Sequence, residues 1–331
     1  MKILLTGASG YIGSQLVSSW LEDKNVEKII ALDVSQPRFL WKADHPKVHF
    51  IQKNLADTDL EKELEVFLPV DVVVHAAYFI RTPYFKKDRE YQEHSNFQGA
   101  ENVFDFALKS EVKKLIHFST VAVYGAHAKN ELNNPFTEES EAQETIIAYG
   151  RDKKIIEKKL SEIFEKHHPK TEVICLRVGS VSGPFLQNVV KKTGLLSFMK
   201  GLLPFLPITS EKSARQYVHE DDVVSAVNFW LTHQTEPKII PLNLASKGFF
   251  TFREIAKILR KKTLKIPHQF AQIFFFLTWH LSLGKIPTPP GVINSYSYPI
   301  IVDGTKITKF GFAYKYNSTD ALLATKGKFA S

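Results

Sequence analysis

The chain has 331 residues, 44% hydrophobic and 24% charged, with 43 Lys and Arg against 35 Asp and Glu for a net charge of +8. These values exclude a disordered, collagen-like or low-complexity chain. The single cysteine, Cys175, excludes an internal disulfide framework and a cysteine-based zinc fold, and points to a reducing, cytoplasmic setting. The charge is unevenly placed: residues 1–180 sum to −3 and residues 181–331 to +11. A basic half attracts phosphates, anionic lipid or nucleic acid. No RNA-binding or zinc-finger signature accompanies the lysines, so nucleic acid is set aside as a partner.

The apolar run at the N-terminus, Ile3 to Leu5, is too short for a signal peptide and reads as a buried strand. Strands are expected at Ile3–Thr6, Ile29–Asp33, Val48–Gln52, Val72–His75, Lys114–Ser119 and Thr171–Arg177. Helices are expected at Ile12–Glu22, Asn96–Lys109 and Tyr149–His167. This alternation predicts an α/β fold with a doubly wound parallel sheet over residues 1–180. Beyond it, Pro204, Pro207, Pro237, Pro241, Pro267, Pro287, Pro289 and Pro290 break the pattern. Residues 181–331 therefore read as a smaller, less regular substrate lobe, with the chain returning to the first domain around 215–245.

The first strand runs straight into Thr6-Gly7-Ala8-Ser9-Gly10-Tyr11-Ile12-Gly13, which opens a helix. Gly7 permits a tight turn, Gly10 a close backbone approach to a pyrophosphate, and Gly13 close packing of helix on strand. The helix N-terminus presents free N–H groups and a positive dipole end to the anion. Asp33 closes the second strand about twenty residues on, where an acid bonds the ribose hydroxyls. A carboxylate there repels a 2′-phosphate, so NAD is favoured over NADP, with Arg38 as the one opposing charge.

Tyr149 and Lys153 stand four apart and project from one helical face. A free tyrosine, with a pKa of about 10, is a poor base. A neighbouring ammonium and a nicotinium favour its phenolate. Thr120 follows a strand at the sheet edge where open α/β folds bind ligands.

These segments, in this order, resemble the extended short-chain dehydrogenase/reductases of the NAD-dependent epimerase/dehydratase family. The turn at 6–13 is similar to the family's TGxxGxxG, Val73-Val-His-Ala-Ala77 to the segment after its fourth strand, and Asn96 to Asn102 to NxxGTxN. Ser119-Thr-Val-Ala-Val-Tyr-Gly125 resembles SSxxVYG, and Tyr149-Gly-Arg-Asp-Lys153 resembles YxxxK. Arg177 to Pro184 resembles RxxNVYGP, Arg215 to Asp222 resembles RDFVHVDD, and Asn243-Leu-Ala245 is like a late NVG. The resemblance implies a catalytic set of Thr120, Tyr149 and Lys153. It further implies cofactor contacts from Gly7, Gly10, Tyr11, Ile12, Gly13, Asp33, Asn54, Leu55, Ala76, Ala77, Tyr78, Asn96, Ser119, Tyr149 and Lys153, and a homodimer. Arg215 and Ser180 are the implied substrate residues, although Ser180 and Ser182 stand where the family has Asn and Tyr.

The expected reaction is hydride transfer at a secondary alcohol or ketone. Because the diphosphate-holding Asn is replaced and the C-terminal half is aromatic, an apolar, hydroxysteroid-like alcohol is the first substrate reading. A nucleotide sugar handled by an epimerase or dehydratase is the alternative, and a non-enzymatic NAD sensor is a third. The basic half is consistent with an anionic small-molecule substrate. Phe270–Leu283 has about two-thirds of the length that spans a bilayer. Read first as a core helix, it otherwise caps an apolar substrate or, with the lysines before it, makes 253–283 a peripheral membrane contact. The lone histidines lack metal-ligand spacing and no metal site is expected.

Overall fold

The computed structural model describes residues 1–190, 199–201 and 203–330. Seven strands form one parallel sheet: β1 (Lys2–Thr6), β2 (Lys28–Asp33), β3 (Val48–Gln52), β4 (Val72–His75), β5 (Lys114–Thr120), β6 (Glu172–Val178) and, much later in the chain, Ile239–Leu244. In space they run β3-β2-β1-β4-β5-β6 and then Ile239–Leu244. The order reverses between β1 and β4, and there the two strand ends part to leave a crevice. The six strands expected up to residue 180 form within a residue of their predicted bounds. Their central members are buried along nearly their whole length, as a sheet covered on both faces requires.

Helices α1 (Tyr11–Glu22), α2 (Leu60–Leu64), α3 (Lys86–Lys109) and α4 (Ala148–His167) connect these strands. The third begins ten residues before its expected start. Lys86 to Ser95 is almost wholly polar and carries no apolar stripe, so its helicity was invisible to periodicity. It is supported instead by spacings such as Lys86–Glu90 at 3.5 Å.

After β6 the chain forms short strands β7 (Ser180–Ser182), β8 (Phe205–Ile208), β9 (Ala214–Arg215) and β10 (Tyr217–His219). It then returns to the sheet with α5 (Glu220–Thr232) and the edge strand Ile239–Leu244, here β11. Pro241 sits opposite Cys175 in that last pairing. An edge strand has one unpaired side, so it tolerates a proline that a central strand does not. On α5, Val223, Ala226, Val227 and Trp230 join the core under α1, where Trp20 donates to Asn228 at 2.8 Å.

The smaller lobe has its own core of Leu206, Ile208, Tyr217, Phe252, Ile255, Ile293, Tyr296 and Leu322. It holds β12 (Phe250–Thr251), α6 (Phe252–Ile258), β13 (Lys262–Lys265), α7 (His268–Leu281), α8 (Val292–Ser297) and α9 (Ser318–Leu323). Helix α7 is not the core helix that its composition suggested. Only Ala271 and Trp279 are buried, while Phe270, Ile273, Phe274, Phe276, Leu277 and Leu281 are exposed. Among the described residues, no helix is long and apolar enough to cross a membrane.

Candidate active site

The crevice between β1 and β4 is lined from both strand ends. Gly7, Gly10 and Tyr11 come from the first turn, Asp33 from the end of β2, and Asn54 and Leu55 from the segment after β3. Ala76, Ala77 and Tyr78 follow β4, and Asn96 comes from α3. The glycine roles are steric. Gly7 has φ +75°, and a Cβ there would meet the Ala77 backbone N at 2.7 Å; a Cβ on Gly13 would lie 2.0 Å from the Gly7 carbonyl oxygen. Gly13 and Ile12 therefore seat α1 on the strand and lie outside the crevice lining. Gly10, the N-cap residue of α1, provides no side-chain cap. The first-turn N–H groups are left for an anion, so the cradle fits a dinucleotide pyrophosphate.

The Asp33 carboxylate accepts from Ser9 N at 3.0 Å and Ser35 N at 2.8 Å. Burial raises its pKa, opposed by those backbone hydrogen bonds and by Arg38, which also lines the crevice. Asn54 donates to Ser95 Oγ at 3.0 Å and Tyr91 at 3.2 Å, and its Oδ1 accepts from Ala56 N. Asn96 grips the loop after β4, accepting from Phe79 N at 2.8 Å and donating to its carbonyl. The hydroxyl of Tyr11 donates to Glu220, whose carboxylate also accepts from Phe185 N at 2.6 Å and Leu186 N at 3.0 Å. The β1 turn, the start of α5 and the chain after Pro184 thus share one buried carboxylate.

Beyond Tyr78 lies the second cluster. The rings of Tyr78 and Tyr149 are 5.3 Å apart, and the Lys153 ammonium is 4.4 Å from the Tyr78 ring centroid. Thr120, at the C-terminal end of β5, is buried; its Oγ1 accepts from Ala122 N at 3.2 Å and lies near enough to the Tyr149 hydroxyl to draw its pKa down. The structure therefore brings Thr120, Tyr149 and Lys153 together at the sheet edge. Lys153 Nζ donates to the Phe118 carbonyl at 2.6 Å, and burial lowers its pKa to about 8. Burial raises the Tyr149 pKa despite the neighbouring Thr120 hydroxyl, which draws it down. The lowering expected from Lys153 does not act on Tyr149 here: its ammonium is turned to the Phe118 carbonyl and the Tyr78 ring.

Ser119, one residue before Thr120, points its hydroxyl at Glu157, which also forms a largely buried ion pair with Arg177 at 2.8 Å. That hydroxyl is thereby tied to the scaffold behind the cluster. His75 and His117 stack beneath it, centroids 5.3 Å apart, and His75 Nδ1 pairs with Thr6 Oγ1 at 2.7 Å. Burial holds both far below the usual histidine range, His75 near 3. They are neutral core residues. Among the described residues, no group of three His, Cys, Asp or Glu is placed to hold a metal.

Of the substrate residues, Arg215 donates to the carbonyls of Ala214 at 2.8 Å and of Ser295, and stacks 5.4 Å from the Phe252 ring centroid. Among the described residues no carboxylate pairs with it, and burial lowers its pKa. Ser180 is exposed on β7, in register with Tyr217. Sequence reasoning missed Glu157 and Glu220. Glu157 carries a local signal, lying one turn beyond Lys153 on the same face. Glu220 occupies the position of the second Val in the RDFVHVDD pattern, a departure that marks it.

A doubly wound sheet with a glycine turn at its switch point and a Thr-Tyr-Lys cluster beside it defines a dinucleotide-dependent enzyme fold. The NAD dependent epimerase/dehydratase family model matches residues 3–244, and the chain belongs to that family. It is 24% identical over 276 residues to an ADP-L-glycero-D-manno-heptose-6-epimerase of Brachyspira hyodysenteriae, covering 78% of this chain and 80% of that protein. It is 25% identical over 353 residues to a UDP-glucose 4-epimerase of Lactobacillus helveticus, covering 99% and 97%. The fold is similar to that of the UDP-glucose 4-epimerase of Bifidobacterium longum, solved with NAD+ and UDP, at a TM-score of 0.72 and 18% identity. That match covers 98% of this chain and 97% of the other.

Proposed function

We propose that the protein is an NAD-dependent enzyme acting on a nucleotide sugar, oxidising a ring hydroxyl to a keto intermediate as an epimerase or dehydratase does. The observation that carries this reading is the clustering of Tyr149 and Lys153 around the Tyr78 ring, at 5.3 Å and 4.4 Å, which sets them with Thr120 beside the dinucleotide crevice. The glycine turn and the uncapped α1 would hold the pyrophosphate, Asp33 a ribose, and Lys153 the nicotinamide ribose. When bound, NAD supplies the hydride acceptor and, after rearrangement of the keto sugar, the donor.

The chain's own part is proton handling and positioning. Tyr149 takes the proton from the substrate hydroxyl as that oxygen becomes a carbonyl, and gives it back in the reverse step. Thr120 hydrogen-bonds the same oxygen and holds the tyrosine in line. Lys153 and the nicotinium charge of bound NAD would together favour the phenolate against the burial that raises the Tyr149 pKa.

The nucleotide-sugar alternative replaces the apolar-alcohol reading. That reading rested on the replaced Asn and the aromatic C-terminal half, and the α7 aromatics that could have capped an apolar substrate are exposed instead. A half-buried guanidinium stacked on Phe252, with no acidic partner among the described residues, suits a substrate phosphate, and the relatives' names supply the sugar. In this reading Arg215 takes that phosphate and Ser180 is a further contact.

The test incubates the purified protein with NAD and a panel of UDP-, ADP-, dTDP- and GDP-sugars beside apolar secondary alcohols. Products are followed by chromatography and NADH by absorbance at 340 nm. Conversion of a nucleotide sugar with little net NADH supports the proposal. Steady NADH production from an apolar alcohol alone overturns it.

A further inference from the structure

Helix α7 is a surface helix without a single Asp, Glu, Lys or Arg. Phe270, Ile273, Phe274, Leu277 and Leu281 recur at three- or four-residue spacing and therefore form one stripe. All five are exposed, Phe270 by 66% and Leu281 by 83%. The buried residues Ala271 and Trp279 lie on the opposite side and hold the helix to the lobe. The apolar surface continues past the helix. Trp279 and His280 meet Tyr84, Tyr84 packs edge-on against exposed Phe85, and Leu283 and Ile286 are exposed in the following turn. Water-exposed apolar area on this scale marks a surface that is covered by something.

The charge around the stripe selects the cover. From Ile255 to Val302 the chain contains no Asp or Glu, whereas Lys257, Arg260, Lys261, Lys262, Lys265 and Lys285 flank the helix on both sides. Among the described residues only Lys265 approaches a carboxylate, Glu211 at 3.7 Å. A symmetric pairing of two copies through α7 would bring two such cation sets together with no acids of that segment to offset them. An anionic lipid surface offers the reverse: headgroup phosphates for the flanks and acyl chains for the stripe.

We infer that α7 docks the protein in the plane of an anionic membrane, burying Phe270, Ile273, Phe274, Leu277 and Leu281 below the headgroups. Docking there is peripheral, because the helix is far shorter than a span. It also involves the site's own scaffold. Arg81, in the loop leading from the Tyr78 end of the crevice, donates to the carbonyls of Gly284 at 3.0 Å and Lys285 at 3.2 Å. The inference does not depend on the nucleotide-sugar reading.

The experiment is flotation of the full chain with vesicles of phosphatidylcholine alone and of phosphatidylcholine mixed with phosphatidylglycerol, at low and high salt. Binding to the mixed vesicles, weakened by salt, is expected. A Phe270→Ser/Phe274→Ser variant should bind about tenfold or more weakly. Lys262→Gln/Lys265→Gln/Lys285→Gln should lose the preference for phosphatidylglycerol. All these positions are exposed, so thermal unfolding should stay at the wild-type midpoint. Absence of binding to the mixed vesicles overturns the inference. So does a wild-type dimer, seen by sedimentation velocity, that the Phe270→Ser/Phe274→Ser variant dissociates.

Discussion

The ammonium of Lys153 sits 4.4 Å from the centroid of the Tyr78 ring while donating to the Phe118 carbonyl. It is a buried cation held by an aromatic face and one carbonyl, without a carboxylate in contact among the described residues. Burial brings its pKa from 10.5 to about 8. Between those two values the unfolded chain holds a proton that the folded chain has lost, so stability rises with pH across that window. Below pH 8 both states are protonated, and the full cost of burying the charge is present. That cost reaches about 3 kcal/mol. In urea titrations at pH 7 and pH 9, the wild type should gain stability relative to Lys153→Met. Parallel behaviour of the two proteins would refute this assignment.

Thr120 and Tyr149, neighbours at the sheet edge, divide positioning from proton transfer. Tyr149→Phe should lower kcat by about 100-fold or more while leaving dinucleotide affinity close to wild type. Thr120→Val, which keeps the shape, should lower kcat by about tenfold. Steady-state rates on the converted sugar, with fluorescence titration of NADH, check both. A Tyr149→Phe enzyme with the wild-type rate would remove the tyrosine from the mechanism.

Asp33 and Arg38 face the same crevice with opposite charge. Asp33→Ser removes the carboxylate that repels a 2′-phosphate and leaves the arginine. The ratio of NAD to NADP dissociation constants should move toward NADP by about tenfold. Calorimetry with both dinucleotides measures it, and an unchanged ratio would show that Asp33 does not set the preference.

Gly13 and Gly248 are two glycines with different reasons to be glycine. A Cβ on Gly13 collides with the Gly7 carbonyl, whereas Gly248 has open space and φ +88°. Gly13→Ala should cost about 3 kcal/mol and weaken dinucleotide binding by moving α1. Gly248→Ala should cost about 1 kcal/mol from backbone strain alone and leave binding unchanged. Denaturant unfolding and NADH titration separate the two effects.

Glu220 joins the β1 turn to the chain after Pro184. Glu220→Ala leaves Tyr11 and the N–H groups of Phe185 and Leu186 without their acceptor, and should cost about 3 kcal/mol. Burial raises the Glu220 pKa above 4.5, so its contribution to stability falls as pH rises through that raised value. Acid-range unfolding of the wild type and Glu220→Gln should therefore differ in slope.

Much of this fold is legible because it rests on local pattern. Short β-branched runs between amphipathic stretches gave the strands of the first 180 residues, and the glycine turn gave the crevice. The start of α3 escaped because Lys86 to Ser95 is solvated and shows no apolar period. The placement of α7 escaped for a different reason. Composition says that a helix is apolar but not whether a neighbour exists to bury it. The Thr-Tyr-Lys cluster was readable because two of its members share a helix turn. The Glu157–Arg177 pair joins a helix to a strand twenty residues away, and no spacing announces it.

The sheet carries a consequence for synthesis. Its last strand, Ile239–Leu244, lies more than fifty residues beyond its neighbour Glu172–Val178, with the small lobe's first strands threaded between them. While a ribosome is still making that interval, the Glu172–Val178 edge stands open, with Ile174 and Leu176 uncovered and its backbone unpaired. Such an edge recruits stray strands. The nascent chain is therefore most exposed to misassociation after six strands have emerged and before the seventh. A pause in translation within 180–238 would lengthen that interval, and faster elongation would shorten it.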